Sequence, residues 1–393
     1  MPIHSPMKRS IQEQAYLLAA EFQKTAIQRD REGGNPKWER DLIRESGLLN
    51  LLTPERLGGM GKTWGDVCEV VQIFAQADSS LAHVYGYHFL NLTTPYFYGT
   101  SEQSDFYYQQ TIQQNLFWGN AFNPIDLNLF ATKKNSSILL NGKKTFCSGS
   151  ADSDYLIVSS IFEETEIPLI AVIPTNRQGI EVNGDWDHFG QRQTDSGSIT
   201  FKNVPVYKED ILAAVPPNDE FLSIRSSIAN FLISHIMLGV TKSAINEALQ
   251  YVSTKTRARF AQHSSAIDDP YIQRHLGKFH IQYEAAESLI SQTTAAFQEA
   301  WEKGWNLTEK EKTSIQNSIG VAKAFITTAG LDITSRIFDV MGSRATSNTY
   351  RYDRFWRNIR TLSLHAPINY EIQRLGTWTL QNYKNHLDLE ENQ

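Results

Sequence analysis

The chain has little cysteine, no long apolar run and no excess of basic charge, and each lack excludes a class of protein. Its 393 residues include 2 cysteines, Cys68 and Cys147, too few for a disulfide framework and suited to a reducing compartment. No stretch approaches the roughly 20 apolar residues of a membrane span. The N-terminal sequence indicates an amphipathic helix and not a signal peptide. We therefore expect a cytoplasmic protein without a membrane partner.

Charge and composition exclude further classes. The 37 basic and 43 acidic residues give a formal net charge of -6. This balance argues against a nucleic-acid partner, because such proteins neutralise phosphates with Lys and Arg. A hydrophobic share of 41% allows a sizeable core, which excludes a disordered chain. At this length we expect two or three substructures.

The common catalytic fingerprints are missing as well. No G-x-G-x-x-G follows a predicted strand, and neither a P-loop nor a G-x-S-x-G elbow is present. The 10 histidines are scattered, and the spacing of His83 and His88 does not place two ligands on one helix face. We therefore expect no metal site.

Hydrophobic periodicity divides the chain into three parts. Helical spacing covers about the first hundred residues, short β-branched runs between turns follow, and long helical patterns resume near Phe221. Asn141 and Gly142 predict a hairpin turn, since both tolerate positive φ. We predict an α+β fold with an N-terminal helical domain (1–115), a middle β domain (116–213) and a C-terminal helical bundle (214–393).

Two stretches of the middle part resemble a known family. They are 140–155, which ends in a Ser-rich segment, and 185–206, which contains Trp-x-x-x-Gly-x-Arg-x-Thr-x-Ser. Both are similar to the flavin-binding middle domain of the acyl-CoA dehydrogenase superfamily. Further similar stretches at 251–260, 340–346 and 352–367 extend the resemblance over nearly the whole chain. The family fold, with a β-barrel-like middle domain and a C-terminal four-helix bundle, has the same α-β-α order.

The catalytic base of many family members is missing here. Their proton-abstracting Glu follows soon after an Arg-Asp pair, where this chain has Leu364, His365, Ala366 and Pro367. Removing a proton next to a thioester carbonyl requires a positioned carboxylate, so simple acyl-CoA dehydrogenation is disfavoured. The string 355–367 instead resembles the flavin-dependent monooxygenase branch typified by dibenzothiophene monooxygenase.

The resemblance to that branch implies a two-component monooxygenase. Such enzymes take reduced FMN from a separate NAD(P)H-dependent flavin reductase and react it with O2 to a C4a-hydroperoxide, which must be shielded from water. They transfer one oxygen atom to a soft nucleophile. By resemblance, the chain is expected to be a homotetramer that oxygenates a small aromatic or sulfur-containing substrate. Dibenzothiophene or benzothiophene, converted to the sulfoxide or sulfone, are the favoured examples.

The resemblance also assigns site residues by position. His365, Ser148, Asn120 and His88 are the expected catalytic residues. The residues expected to bind the flavin are Asn120, Phe146, Ser148, Trp186, Arg257, Phe260, Ser343, Arg344 and His365. The two arginines suit the FMN phosphate, because a guanidinium matches phosphate oxygens with two parallel hydrogen bonds. Leu92 and the segment 122–125 depart from the family pattern on the substrate side.

Ordinary structural roles are the alternatives for these residues. The histidines could cap a helix or fill the core, Ser148 and Asn120 could be turn residues, and the arginines could form surface ion pairs. Two other functions also stay open. One is an FAD-dependent acyl-CoA dehydrogenase with a displaced carboxylate, for which Glu247 and Asp78 are the candidates. The other is a catalytically silent family member that acts as a scaffold.

Overall fold

The computed structural model describes residues 9–134, 137–257 and 265–391. Packing divides the chain into two compact units, Met1–Arg225 and Ser226–Gln393. Helices come first, strands second and helices again last, so the predicted α-β-α order is confirmed. The finer division at 115/116 and 213/214 stays a prediction.

The first unit begins with helices whose starts are fixed by local sequence. Ser10, Thr63 and Thr100 each form a capping box, in which the N-cap hydroxyl and the third helical residue exchange hydrogen bonds. The helices are α1 (Ile11–Glu32), α2 (Lys37–Ser46), α3 (Trp64–Ala77), α4 (Ser79–Leu92), α5 (Thr94–Tyr98) and α6 (Ser101–Gln114). Aromatic rings join α1, α3 and α4, since Phe22 and Tyr85 each pack edge-to-face on Phe74 with centroids 5.0 Å apart.

A mixed sheet follows in the same unit. Its strands are β1 (Trp118–Ala121), β2 (Leu129–Lys134), β3 (Ser137–Lys144), β4 (Tyr155–Phe162), β5 (Pro168–Pro174), β6 (Ile180–Val182) and β7 (Ile199–Val206). The strand order is β1-β4-β2-β3-β7-β6, with β5 paired to β4. Leu140, Leu156 and Phe201 belong to its apolar core and are almost completely buried. The short helix α7 (Asp219–Leu222) closes the unit.

The predicted hairpin turn at Asn141 and Gly142 is wrong. Both residues lie inside β3, where the pairing with β7 shifts register between Leu140 and Gly142, as in a β-bulge. Gly142 has a φ of 133°, and a Cβ there would lie 2.1 Å from the Asn128 carbonyl oxygen. The same tolerance of positive φ therefore serves a bulge with a close backbone approach, and not a turn.

The second unit consists of long helices. They are α8 (Ile224–Thr254, which begins two residues before the unit), α9 (Pro270–Lys303), α10 (Glu309–Met341), α11 (Asp353–Ser363) and α12 (Ile368–Glu391). Helix α10 packs against α9, α11 and α12. Phe231 on α8 and Phe297 on α9 stack at 4.3 Å. The segment Asp219–Thr254 is long and apolar enough to cross a membrane, but 78% of its most apolar window is buried, as in a core helix.

Candidate active site

An exposed group of aromatic rings forms a wall on the first unit. Trp186 and His188 stack at 3.6 Å with an interplanar angle of 12°, and Phe146 meets Trp186 edge-to-face at 6.2 Å. The indole Nε1 donates to the Gln191 carbonyl at 2.7 Å, which fixes the orientation of the ring. Phe146 is 57% exposed and has a φ of 57°. The structure thus brings Phe146 and Trp186 together on a surface that fits a flat aromatic ring.

A chain of hydroxyl groups lies beside this wall. Thr194 Oγ1 donates to the Gln191 carbonyl at 3.0 Å, and Ser196 Oγ donates to Thr194 Oγ1 at 2.8 Å. Ser148 Oγ lies 2.7 Å from Ser196 Oγ. Since a carbonyl can only accept and Ser196 has already given its proton, Ser148 must be the donor in this pair. Ser148 Oγ therefore keeps lone pairs with which it can accept a hydrogen bond.

Asn120 is joined directly to Ser148. The Asn120 backbone N–H donates to the Ser148 carbonyl at 3.1 Å, so the two predicted catalytic residues are neighbours across β1 and the loop after β3. The side-chain Oδ1 of Asn120 accepts from the Phe122 backbone N–H at 3.1 Å. This bond leaves the amide Nδ2 as the group that can donate to a ligand. Ser148 and Asn120 together therefore offer one acceptor and one donor.

Two buried cations hold the loops that carry these residues. Arg40 Nη2 donates to the carbonyls of Gly149 at 3.1 Å and Asp152 at 2.8 Å, just after Ser148. Lys144 Nζ donates to the carbonyls of Asn123, at 2.8 Å, and Asp126, in the loop after Asn120. Burial lowers the pKa of Arg40 to about 10 and also lowers the pKa of Lys144. Neither residue could be predicted from the sequence, because a single Arg or Lys gives no sign of its burial.

His88 is completely buried on α4. Its Nδ1 accepts from the Trp118 backbone N–H at 3.2 Å, so Nε2 carries the proton and donates to the Leu49 carbonyl at 2.9 Å. Burial lowers the pKa of His88 to about 3, so the ring is neutral at ordinary pH. Both nitrogens are engaged by main chain, and the geometry therefore favours a structural role over the predicted catalytic one.

On the second unit, His365 follows the end of α11. Its side chain is accessible to solvent. Desolvation of the ring by the surrounding protein lowers the pKa of His365 to about 4, and the Lys323 cation makes a smaller contribution in the same direction. Lys323 itself is 1% exposed, and its Nζ donates to the carbonyl of Ala366 at 3.1 Å and to Asn230 Oδ1 at 2.8 Å. Lys323 thus anchors the segment that presents a neutral, accessible imidazole.

The predicted phosphate ligands lie on two adjoining segments of the second unit. Thr256 Oγ1 donates to the Met341 carbonyl at 3.3 Å, and Arg344 Nη2 donates to the Lys255 carbonyl at 3.4 Å. The segment that bears Arg257 therefore adjoins the turn of Ser343 and Arg344, and all three side chains are exposed. Phe260, the remaining predicted ligand, lies outside the described residues.

Each unit carries groups suited to part of a flavin mononucleotide. The aromatic wall of Phe146 and Trp186 offers a stacking surface to an isoalloxazine ring. Arg257 and Arg344 are exposed guanidinium groups suited to a phosphate, and the segments that carry them are joined by hydrogen bonds. Ser148 Oγ can accept from the N–H edge of a reduced ring.

Family models match three parts of the chain. The acyl-CoA dehydrogenase N-terminal domain matches residues 5–115, the middle domain residues 121–204 and the C-terminal domain residues 231–370. The chain is 41% identical to the probable FMNH2-dependent monooxygenase SfnC of Pseudomonas putida over 97% of each chain.

Two solved structures extend this similarity. Methanesulfinate monooxygenase MsuC of Pseudomonas fluorescens is 41% identical with a TM-score of 0.92, over 95% of this chain and 98% of that one. FMN-bound TdsC of Paenibacillus sp. A11-2, a dibenzothiophene monooxygenase, is 37% identical with a TM-score of 0.90, over 95% and 97%. The chain belongs to the acyl-CoA dehydrogenase family, in the branch that contains these flavin-dependent monooxygenases. The resemblance noted in the sequence is thereby confirmed.

Proposed function

We propose that the chain is an FMNH2-dependent monooxygenase that oxygenates a small sulfur-containing or aromatic substrate. Relatives at 37% to 41% identity are named as monooxygenases, and TdsC was solved with FMN and with FMN and indole. The fold carries an aromatic wall, a paired donor and acceptor, and an arginine pair of the kind that FMN requires. The scaffold alternative has no comparable support.

The observation that carries this proposal is the side chain that follows α11. His365 stands there, accessible and uncharged, where a dehydrogenase needs a carboxylate. Asp78, one candidate for a displaced base, caps α4 by accepting from Ser80 N and pairs with Arg29 at 2.6 Å. A carboxylate held in this way is not available to abstract a proton. Glu247 is the remaining candidate for the dehydrogenase alternative.

The residues of each unit offer distinct contacts to a flavin. Reduced FMN would supply the two electrons with which O2 is split, one oxygen atom going to the substrate and the other to water. Asn120 Nδ2 can donate to the flavin edge, and Ser148 can accept from it. His365, neutral at ordinary pH, can donate one hydrogen bond without bringing a charge. Phe146 and Trp186 exclude water from the ring.

The assembly and partners are part of the same proposal. We propose a cytoplasmic homotetramer that receives FMNH2 from a separate reductase by diffusion. Tyr370, Ile372, Leu380 and Tyr383 on α12 are each more than half exposed, and such a concentration of exposed apolar side chains is typical of an interface. Leu380→Glu is expected to lower the mass measured by light scattering, while the neighbouring Gln381→Glu leaves it unchanged.

Isotope incorporation tests the proposed reaction. Chemically reduced FMN, the protein and either dibenzothiophene or methanesulfinate are mixed with isotopically heavy O2, and the products are analysed by mass spectrometry. We expect a product with one heavy oxygen atom per catalytic step. Failure to oxygenate any sulfur compound, together with co-purified FAD that an acyl-CoA reduces, would support the dehydrogenase instead.

A further inference from the structure

Arg225 is a buried cation without a counter-charge in the described part of the chain. It is 7% exposed, and its Nη2 has no hydrogen-bond acceptor among the described residues. Its Nε donates to Thr94 Oγ1 at 3.1 Å, a neutral hydroxyl. Burial lowers the pKa of Arg225 to about 10, which leaves it charged at neutral pH. Buried guanidinium groups are ordinarily paired with an acid, so this one calls for a negative partner.

The guanidinium lies over an aromatic ring. Its central carbon lies 3.8 Å from the centroid of Phe122 and 5.9 Å from that of Tyr98. Such stacking is favourable but supplies no net negative charge. Since Nη2 has no acceptor among the described residues, the N–H fork of the guanidinium still needs a hydrogen-bonding partner. A planar or forked oxyanion has the matching shape.

Phe122 links this cation to the candidate active site. Its backbone N–H donates to Asn120 Oδ1, and the next residue is held by Lys144 through the Asn123 carbonyl. The Phe122 ring is thus fixed in a loop that is anchored on both sides of it. Arg225 therefore contacts, through the Phe122 ring, the segment 122–125, where the sequence departs from the family pattern on the substrate side.

We propose that Arg225 binds an oxyanion carried by the substrate, and that the substrate is a small sulfur oxyacid such as an alkanesulfinate. The inference rests on the proposed function. The reaction is then R–SO2⁻ with O2 and FMNH2 giving R–SO3⁻, FMN and water. The sulfinate and FMNH2 each lose two electrons, and O2 gains the four. MsuC, at 41% identity, is named for a substrate of this class.

The test compares ligand-dependent stability in three proteins. Thermal unfolding is followed for the wild type, Arg225→Met and Arg177→Met, each loaded with FMN, with and without methanesulfinate, acetate or neutral dimethyl sulfone. Arg177 is the matched control, because it also lies over an aromatic ring, that of Tyr207 at 4.8 Å, but is paired with Asp210. Retained FMN binding verifies that each variant is folded.

We expect methanesulfinate to raise the unfolding temperature of the wild type and of Arg177→Met, and dimethyl sulfone to raise neither. Arg225→Met should bind methanesulfinate about 10- to 100-fold more weakly, since a charge-assisted hydrogen bond is lost. Arg225→Lys keeps the charge without the fork, and it should bind with intermediate affinity. Equal methanesulfinate affinity in the wild type and Arg225→Met would overturn the inference, and so would a larger response to acetate than to methanesulfinate.

The same proteins separate this inference from the proposed function. If the wild type oxygenates neutral dibenzothiophene but does not bind methanesulfinate, the proposed role of Arg225 is wrong. The proposed monooxygenase function is then still supported. If the wild type oxygenates no sulfur compound and does not bind FMN, both the role of Arg225 and the monooxygenase function are wrong.

Discussion

Lys323 Nζ lies 3.1 Å from the carbonyl oxygen of Ala366, so a buried cation on α10 holds the residue next to His365. The second acceptor, Asn230 Oδ1 on α8, fixes the ammonium between two helices and the segment after α11. The accessible imidazole is therefore positioned by a residue that has no direct part in the chemistry. A histidine on an unanchored turn would sample many orientations, and positioning is worth large factors in rate.

Removal of this anchor should loosen His365 without harming the flavin phosphate contacts. Lys323→Met is expected to lower the fraction of FMNH2 oxidation that yields oxygenated product by about 10-fold or more, because a charge-assisted hydrogen bond is lost. The affinity for FMN should stay within about twofold of the wild type. Lys310→Met, an exposed change on the same helix, is the control. Product yield per FMNH2 and FMN titration are the measurements, and an unchanged yield in Lys323→Met would contradict the anchoring role.

Ser148 should matter through its acceptor lone pairs. Ser148→Ala deletes the end of the hydroxyl chain that runs through Ser196 to the Gln191 carbonyl. We expect faster release of oxidised FMN and hydrogen peroxide, and about 10-fold less product, because the flavin edge loses its acceptor. Ser153→Ala breaks a comparable hydroxyl pair, with Thr175 at 2.7 Å, that includes no predicted site residue. If both variants released peroxide equally, Ser148 would be structural.

The arginine pair should set the affinity for FMN. Arg344→Met is expected to raise the FMN dissociation constant about 10- to 100-fold and to flatten its dependence on salt, since a phosphate contact is removed. Arg336→Met changes an exposed arginine of α10 that pairs with Asp332, and it should leave the affinity unchanged. The FMN dissociation constant is measured by equilibrium titration with flavin fluorescence at several salt concentrations. Equal affinities in the two variants would place the phosphate elsewhere.

His88 makes the protein sensitive to acid. Its pKa is about 3 in the folded chain, because of burial, and about 6.5 when unfolded, so the unfolded state binds the proton more tightly. The stability that this difference contributes is complete above pH 6.5 and is lost as the pH falls towards 3. Between pH 7 and pH 4, we expect the unfolding free energy of the wild type to fall by about 3 kcal/mol more than that of His88→Gln. His280→Gln changes an exposed histidine and serves as control.

The sequence predicted those features that depend on pattern and on local chemistry. The α-β-α order followed from the period of the apolar residues. The helix starts at Ser10 and Thr63 were not predicted, although their capping-box spacing is present in the sequence. The structure joins Ser148 to Asn120 and Phe146 to Trp186, while the roles that the resemblance assigned to them stay predictions.

Other features depend on tertiary contacts and could not be predicted. The positive φ of Gly142 is compatible with a turn and with a bulge. The bulge forms because β3 continues past Gly142 and pairs with β7. The sequence allowed a catalytic or a structural role for His88, and only the structure shows that both ring nitrogens bind backbone groups. Lys323 and Arg225 gave no signal at all, since nothing in a sequence distinguishes a buried cation from an exposed one.

The reaction of bound FMNH2 with oxygen tests the central claim most directly. The anaerobic protein with FMNH2 is mixed rapidly with oxygenated buffer, and the absorbance of oxidised FMN is followed for the wild type and for His365→Ala. We predict that oxidised FMN appears only after a lag in the wild type, and that the lag shortens in His365→Ala. Immediate oxidation in the wild type, at the rate of free FMNH2, together with bound FAD that an acyl-CoA bleaches, would contradict the monooxygenase.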